Sequence, residues 1–303
     1  MSLGYDGKLY ILAFDHRGSF KKKMFGISGR EETPEETLAL QDAKRLVWEG
    51  AMAALDAGAP ADAVGVLVDE EMGAAVAQEA KERGVILAMP VEKSGVDVFE
   101  FEYDDFGAHL EAFDPEFAKV LVRWNPDDDP GDKAAQGERL ELLSDWLHAH
   151  GRKFLFELLV PASPRQLALV GGNTAAYDSE VRPYLTLEAI DEIQQAGIEP
   201  DIWKIEGLDR RVDCELLAGL IRRDGRDGVV AVVLGRGADD AKVGHWLEQG
   251  AAVDGYRGFA IGRTIWWDGV EGHRNGTMSR DQAVAQIAHN FRHFIDVYER
   301  AGS

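Results

Sequence analysis

Short apolar, β-branched runs alternate along this chain with longer stretches in which hydrophobic residues recur every three or four positions. The runs fall at residues 9–14, 64–68, 85–91, 118–124, 154–160, 201–205, 229–234 and 258–261. Amphipathic stretches are clearest at 34–57, 72–83, 140–149 and 187–196. Such alternation predicts βαβ units feeding a parallel sheet. Several helices announce their starts. Thr33-Pro34-Glu35-Glu36, for instance, supplies an N-cap, a proline at the first helical position and an acidic first turn. Eight repeats over 303 residues predict an α/β fold of the closed TIM (β/α)8-barrel type rather than an open doubly wound sheet. After the first run the text reads Asp15-His16-Arg17-Gly18, without the glycine-rich dinucleotide fingerprint. Residues 282–300 predict an extra C-terminal helix that closes the barrel, and residues 1–303 read as one domain.

Charge and cysteine content narrow the function. Lys and Arg total 33 against 54 Asp and Glu, a net charge of −21. That surface repels nucleic acid and anionic membrane, so an anionic ligand needs a local positive pocket. No apolar run reaches membrane-spanning length, and the first residues lack a signal-peptide layout. One cysteine, Cys214, excludes an intramolecular disulfide and fits a reducing compartment, so a cytoplasmic location is expected. Composition leaves a homo-oligomer open.

In barrels of this type, functional groups collect where strands end. Nearly every predicted strand end here is charged: Asp15 and Arg17, Asp69 and Glu70, Glu92 and Lys93, Arg123, and Glu206. Side chains alternate along a strand. Lys204 and Glu206 therefore share one face while Trp203 and Ile205 share the other, which suits the helix interface and turns Lys204 inward. The same parity groups Lys119, Leu121 and Arg123, and pairs Asp15 with Ala13. An ammonium inside a barrel is unfavourable unless paired or neutralised. Burial beside a second cation, Lys119, is expected to lower the Lys204 pKa and free its amine for attack on a ketone. Glu157, set among apolar residues, is expected to have a raised pKa and to serve as general acid/base. Glu206 is the competing carboxylate, expected nearer the mouth as a substrate group. A structural ion pair between Lys204 and Glu157 is the plainer alternative.

After the last two strands come Gly235-Arg236-Gly237 and Gly262-Arg263-Thr264. Two glycine–arginine corners on adjacent strands predict a phosphate site built from Gly235, Arg236, Gly262 and Arg263. Asp127-Asp128-Asp129 reads as a solvated loop rather than a cation site, and no histidine cluster suggests zinc. No metal or other cofactor is expected.

The segments LAFDHRGSF (12–20), KVLVRW (119–124), FELLVP (156–161), IWKIEG (202–207) and GFAIGRTIW (258–266) together resemble the class I aldolases related to tagatose 1,6-bisphosphate aldolase. They are closer still to the aldolase-like domain fused behind 5-dehydro-2-deoxygluconokinase. The resemblance implies that Lys204 is the Schiff-base lysine, Glu157 the proton-transfer glutamate and Lys119 the second lysine. It implies substrate contacts from Asp15 and Arg17 and a phosphate contact from Arg263. The implied substrate is 2-deoxy-5-keto-gluconate 6-phosphate, cleaved to dihydroxyacetone phosphate and malonate semialdehyde, with Arg17 and Arg123 placed to receive its carboxylate. The chain departs from the pattern at His16, where tagatose-type enzymes carry glutamine, at Arg123-Trp124-Asn125, and at Ile205-Glu206-Gly207 after the lysine. Other readings are an aldolase for tagatose 1,6-bisphosphate or a sulfofructose phosphate, a metal-dependent lyase, and a non-catalytic sugar-phosphate-binding barrel.

Overall fold

The eight apolar runs close on themselves. In the computed structural model, which describes residues 2–303, they form β1 (Leu9–Ala13), β2 (Val64–Leu67), β3 (Ile86–Pro90), β4 (Phe117–Arg123), β5 (Lys153–Leu159), β6 (Ile202–Glu206), β7 (Val230–Leu234) and β8 (Tyr256–Ile261). Each strand pairs in parallel with the next, and β8 returns to β1, so the sheet is a closed barrel without edges. The fold matches the expectation from the alternating pattern, and strand bounds differ from it by one or two residues.

Alternation along each strand sorts the core into two layers. Leu9, Ile11, Phe117, Leu155, Ile202 and Val230 pack inside the barrel. Tyr10, Leu12, Trp203 and Ile205 face outward and join the helices in the larger cluster. Both layers are fully removed from water, each large aliphatic side chain contributing roughly 1.5–3 kcal/mol by burial. The interior layer fills the N-terminal part of the barrel and leaves the C-terminal part to polar side chains.

Local signals set the helices. Thr33 and Glu36 form the expected capping box ahead of the helix Pro34–Asp56. A second box, Ser279 with Gln282, opens the C-terminal helix Arg280–Ala301. These two helices cross at Gly50, where a Cβ would fall 2.4 Å from Ile287 Cγ2, so only glycine permits the approach. The helix expected at 140–149 begins ten residues earlier, at Pro130, because Asp129 caps it and Pro130 fills its first position. Its opening turns are polar, which hid them from a reading based on hydrophobic period. The neighbouring acidic residues have structural uses: Asp127 pairs with Arg165, and Asp128 accepts from the Asn125 amide. Cys214 is buried. Among the described residues no helix is long and apolar enough to cross a membrane.

Candidate active site

At the C-terminal end of the barrel a cavity of about 320 Å³ opens between the strand ends. Asp15, Lys119, Glu157 and Lys204 line it, with Arg17, Arg123 and Glu92 on one side and Arg236, Gly262 and Arg263 on the other. The inward parity expected for Lys204, Lys119, Arg123 and Asp15 is what the structure has.

Register explains why the charges meet. Glu157 lies directly opposite Lys204 across the β5–β6 ladder, and Lys119 sits two residues lower on β4, opposite Leu155 and on the same inward face. The Lys204 Nζ donates to Glu157 Oε2 at 2.9 Å, and the Lys119 Nζ lies 3.0 Å from that same oxygen. Lys119 also donates to Asp15 Oδ2 and to Glu92 Oε1, each at 2.8 Å. All five side chains are buried. Each needs its neighbours, since an unpaired charge at this depth costs several kcal/mol.

The electrostatics follow from that packing. Burial by itself would lower the Lys119 pKa, but Asp15, Glu157 and Glu92 together raise it well above the usual lysine value. Asp15 is held far below the usual carboxylate range: burial opposes ionisation, and Lys119 and then Lys204 overcome it. Glu157 corrects the expectation of a raised pKa. Burial does push it up, but the two lysines on one oxygen push harder, and the net shift is downward. Its apolar sequence neighbours Phe156 and Leu158 turn outward into the helix layer, so the environment they suggested is not the one the carboxylate occupies. Glu92 goes the other way, raised because burial outweighs Lys119 and Arg17.

Around this centre the predicted substrate residues separate. Arg17 lies against the cavity wall, donating to the Glu92 carbonyl at 2.6 Å and to Glu102 Oε2 at 2.9 Å. Arg123 is half-buried and makes one backbone bond, to the Val96 carbonyl at 3.0 Å. Glu206 does not line the cavity. It is turned behind the wall, accepting from the Val160 amide at 3.1 Å and pairing with Arg236 Nε at 2.8 Å. Arg236 adopts a left-handed backbone (φ 52°) and reaches a second carboxylate, Asp178 Oδ1, at 2.7 Å. Arg263 donates to the Arg236 carbonyl at 3.0 Å, and among the described residues it has no carboxylate partner. Gly262 immediately precedes the helix Arg263–Arg274, whose N-terminus points at this corner.

Several participants were given no role from sequence. Glu92 was visible only as one charged strand end among many. Asp178 sits in a π-helical turn, Tyr177–Val181, that no local pattern announces. Lys44 did carry a signal, a lysine on the stripe of Leu40, Val47 and Ala51 that the helix buries. Its ammonium donates to the carbonyls of Phe14 and His16 and to Asp69 Oδ2, and so fixes the backbone on both sides of Asp15.

Residues 5–302 match the family model described as an uncharacterized protein conserved in bacteria (DUF2090). The chain belongs to that family. No curated protein matches it. Among solved structures, a Corynebacterium glutamicum protein is 17% identical, with 97% of this chain and 88% of that one covered and a TM-score of 0.58. The fructose-bisphosphate aldolase of Plasmodium falciparum is 15% identical, covering 97% and 91% of the two chains with a TM-score of 0.63. An archaeal fructose-1,6-bisphosphate aldolase, solved with its catalytic lysine bound to the carbinolamine intermediate, is 14% identical over 96% and 94%, TM-score 0.58. At such identities the DUF2090 chain shares their barrel fold.

Proposed function

We propose that this chain is a class I aldolase in which Lys204 forms a Schiff base with a phosphorylated keto-sugar. The observation that carries the reading is the Lys204–Glu157–Lys119 row, an amine and a carboxylate at 2.9 Å on the floor of an accessible cavity, with a second ammonium 3.0 Å from the same oxygen. Aldolase barrels among the structural neighbours support the same reaction class.

The chemistry can be followed atom by atom. Moving the shared proton from Lys204 to Glu157 leaves a free amine, which attacks the ketone carbon. Glu157, now a carboxylic acid, protonates the carbinolamine hydroxyl, which departs as water and leaves an iminium. The regenerated carboxylate takes the proton of the hydroxyl β to that carbon. The carbon–carbon bond then breaks, an aldehyde leaves, and its electron pair enters the iminium to give an enamine. Protonation at carbon and addition of one water release the ketone product and the amine. Lys119, kept cationic by three carboxylates, holds Glu157 ionised for the base step.

The substrate we favour is 2-deoxy-5-keto-gluconate 6-phosphate, giving dihydroxyacetone phosphate and malonate semialdehyde. Arg263 is the natural phosphate ligand, with Gly235 and Gly262 offering backbone and Arg236 lying beside it under the hold of Glu206 and Asp178. Arg123 has more donors to spare for the carboxylate than Arg17 has. Lys204→Ala and Lys204→Arg should both abolish release of dihydroxyacetone phosphate, since a guanidinium stays protonated and cannot attack a carbonyl. Arg263→Ala should raise KM roughly 10- to 100-fold, the worth of a charge-assisted contact. Arg123→Gln should weaken the keto-acid phosphate more than tagatose 1,6-bisphosphate. Turnover that survives Lys204→Ala would remove the proposal.

A further inference from the structure

His16 lines the cavity with one ring nitrogen sealed and unpartnered and the rest of the ring packed against its neighbours. Its carbonyl accepts from the Lys44 ammonium at 2.9 Å, and its ring meets Trp266 edge-on at 5.7 Å between centroids. A Cβ on Gly262 would fall 3.0 Å from His16 Cε1, so the imidazole abuts the corner that opens the helix Arg263–Arg274. The ring nitrogens differ. Nδ1 is sealed from solvent without a partner, whereas Nε2 is not among the sealed atoms and, among the described residues, has no hydrogen-bond partner.

That difference fixes the tautomer. A neutral imidazole carries one N–H, and a buried N–H without an acceptor costs more than a buried lone pair. The proton therefore belongs on Nε2, the open side. The ring stays uncharged: burial pushes its pKa down to about 4, Asp15 opposes this, and Lys44, Arg263 and Lys204 add to it.

We propose that His16 is a neutral third member of the anion site, donating from Nε2 to a phosphate oxygen held by Arg263. A donor without charge adds directionality where Arg263 already supplies the cation, and it keeps the phosphate from drawing a further proton into the site. The inference rests on the phosphate-binding part of the proposed function and is independent of the Schiff base.

Inorganic phosphate is the probe. With 15N-histidine in the full chain, His16 should show a protonated Nε2 and an unprotonated Nδ1 between pH 6 and 8, and phosphate should shift the Nε2 signal. Calorimetric affinity for phosphate should fall about fivefold in His16→Phe, which keeps the packing on Trp266, and should largely return in His16→Gln, which restores a donor. Phosphate that binds in an Arg263-dependent way while leaving the His16 signals and the His16→Phe affinity unchanged would overturn the role of His16 and leave the anion site standing. Absence of any Arg263-dependent binding would overturn both, while borohydride trapping on Lys204 would still report separately on the aldolase reading.

Discussion

At the residue scale, the site is a set of charges that cannot be removed singly. Lys119 answers three carboxylates at 3.0 Å or less, and Lys44 answers Asp69 at 2.6 Å in an equally dry setting. Asp69 also accepts from the Met72 amide at the start of the helix Glu70–Glu82. Lys44→Met should therefore cost about 3–5 kcal/mol, read from urea denaturation, because it strands a buried carboxylate and releases two carbonyls. A loss under 1 kcal/mol would show that the pair is relaxed by solvent. Lys204, Lys119 and Glu157 were legible because strand parity is geometric: an inward lysine opposite an inward glutamate needs only the register. The direction of the Glu157 shift was not legible. It depends on two lysines converging on one oxygen, a distance that parity does not supply. Glu206 fails for a related reason, since parity gives the face of a strand but not the partner, here Arg236, that draws a long side chain off the cavity.

At the scale of elements, the strands were readable to within one or two residues because each is a buried run bounded by charge. Helix starts were readable where a cap and a proline coincide, as at Thr33-Pro34. Where the first turns are polar, as after Asp129-Pro130, period alone placed the helix ten residues late. The turn Tyr177–Val181 had no signal, although its Asp178 binds both Arg182 and Arg236. Thr33→Ala removes one reciprocal cap from the helix Pro34–Asp56 and should lower stability by about 1 kcal/mol. Equal urea midpoints for the variant and the parent chain would mean that this helix end is frayed.

For the molecule as a whole, the buried charges set the pH range of stability. Asp15 and Glu157 have depressed values, so their contribution is complete above the unfolded carboxylate pKa near 4 and is lost as pH falls through their folded values. Lys119, raised, contributes fully below the unfolded lysine value of about 10.4 and loses that contribution as pH climbs through its folded value. Glu92 has the opposite sign to the other carboxylates: its raised value penalises folding at neutral pH, and the penalty is relieved on acidification. Lys119→Met should destabilise the chain at pH 7 and move the acid transition followed by circular dichroism to higher pH. An unmoved transition would show that the carboxylates are stabilised from elsewhere.

The covalent imine at Lys204 is tested most directly by borohydride reduction in the presence of dihydroxyacetone phosphate, followed by mass mapping of the peptides. A Schiff-base Lys204 should give a reduced triose phosphate adduct on the peptide that carries it, absent without borohydride, unaffected by chelator and lost in Lys204→Ala. An adduct on Lys119 instead, or none on a chain that cleaves ketose phosphates and stops in chelator, would contradict it.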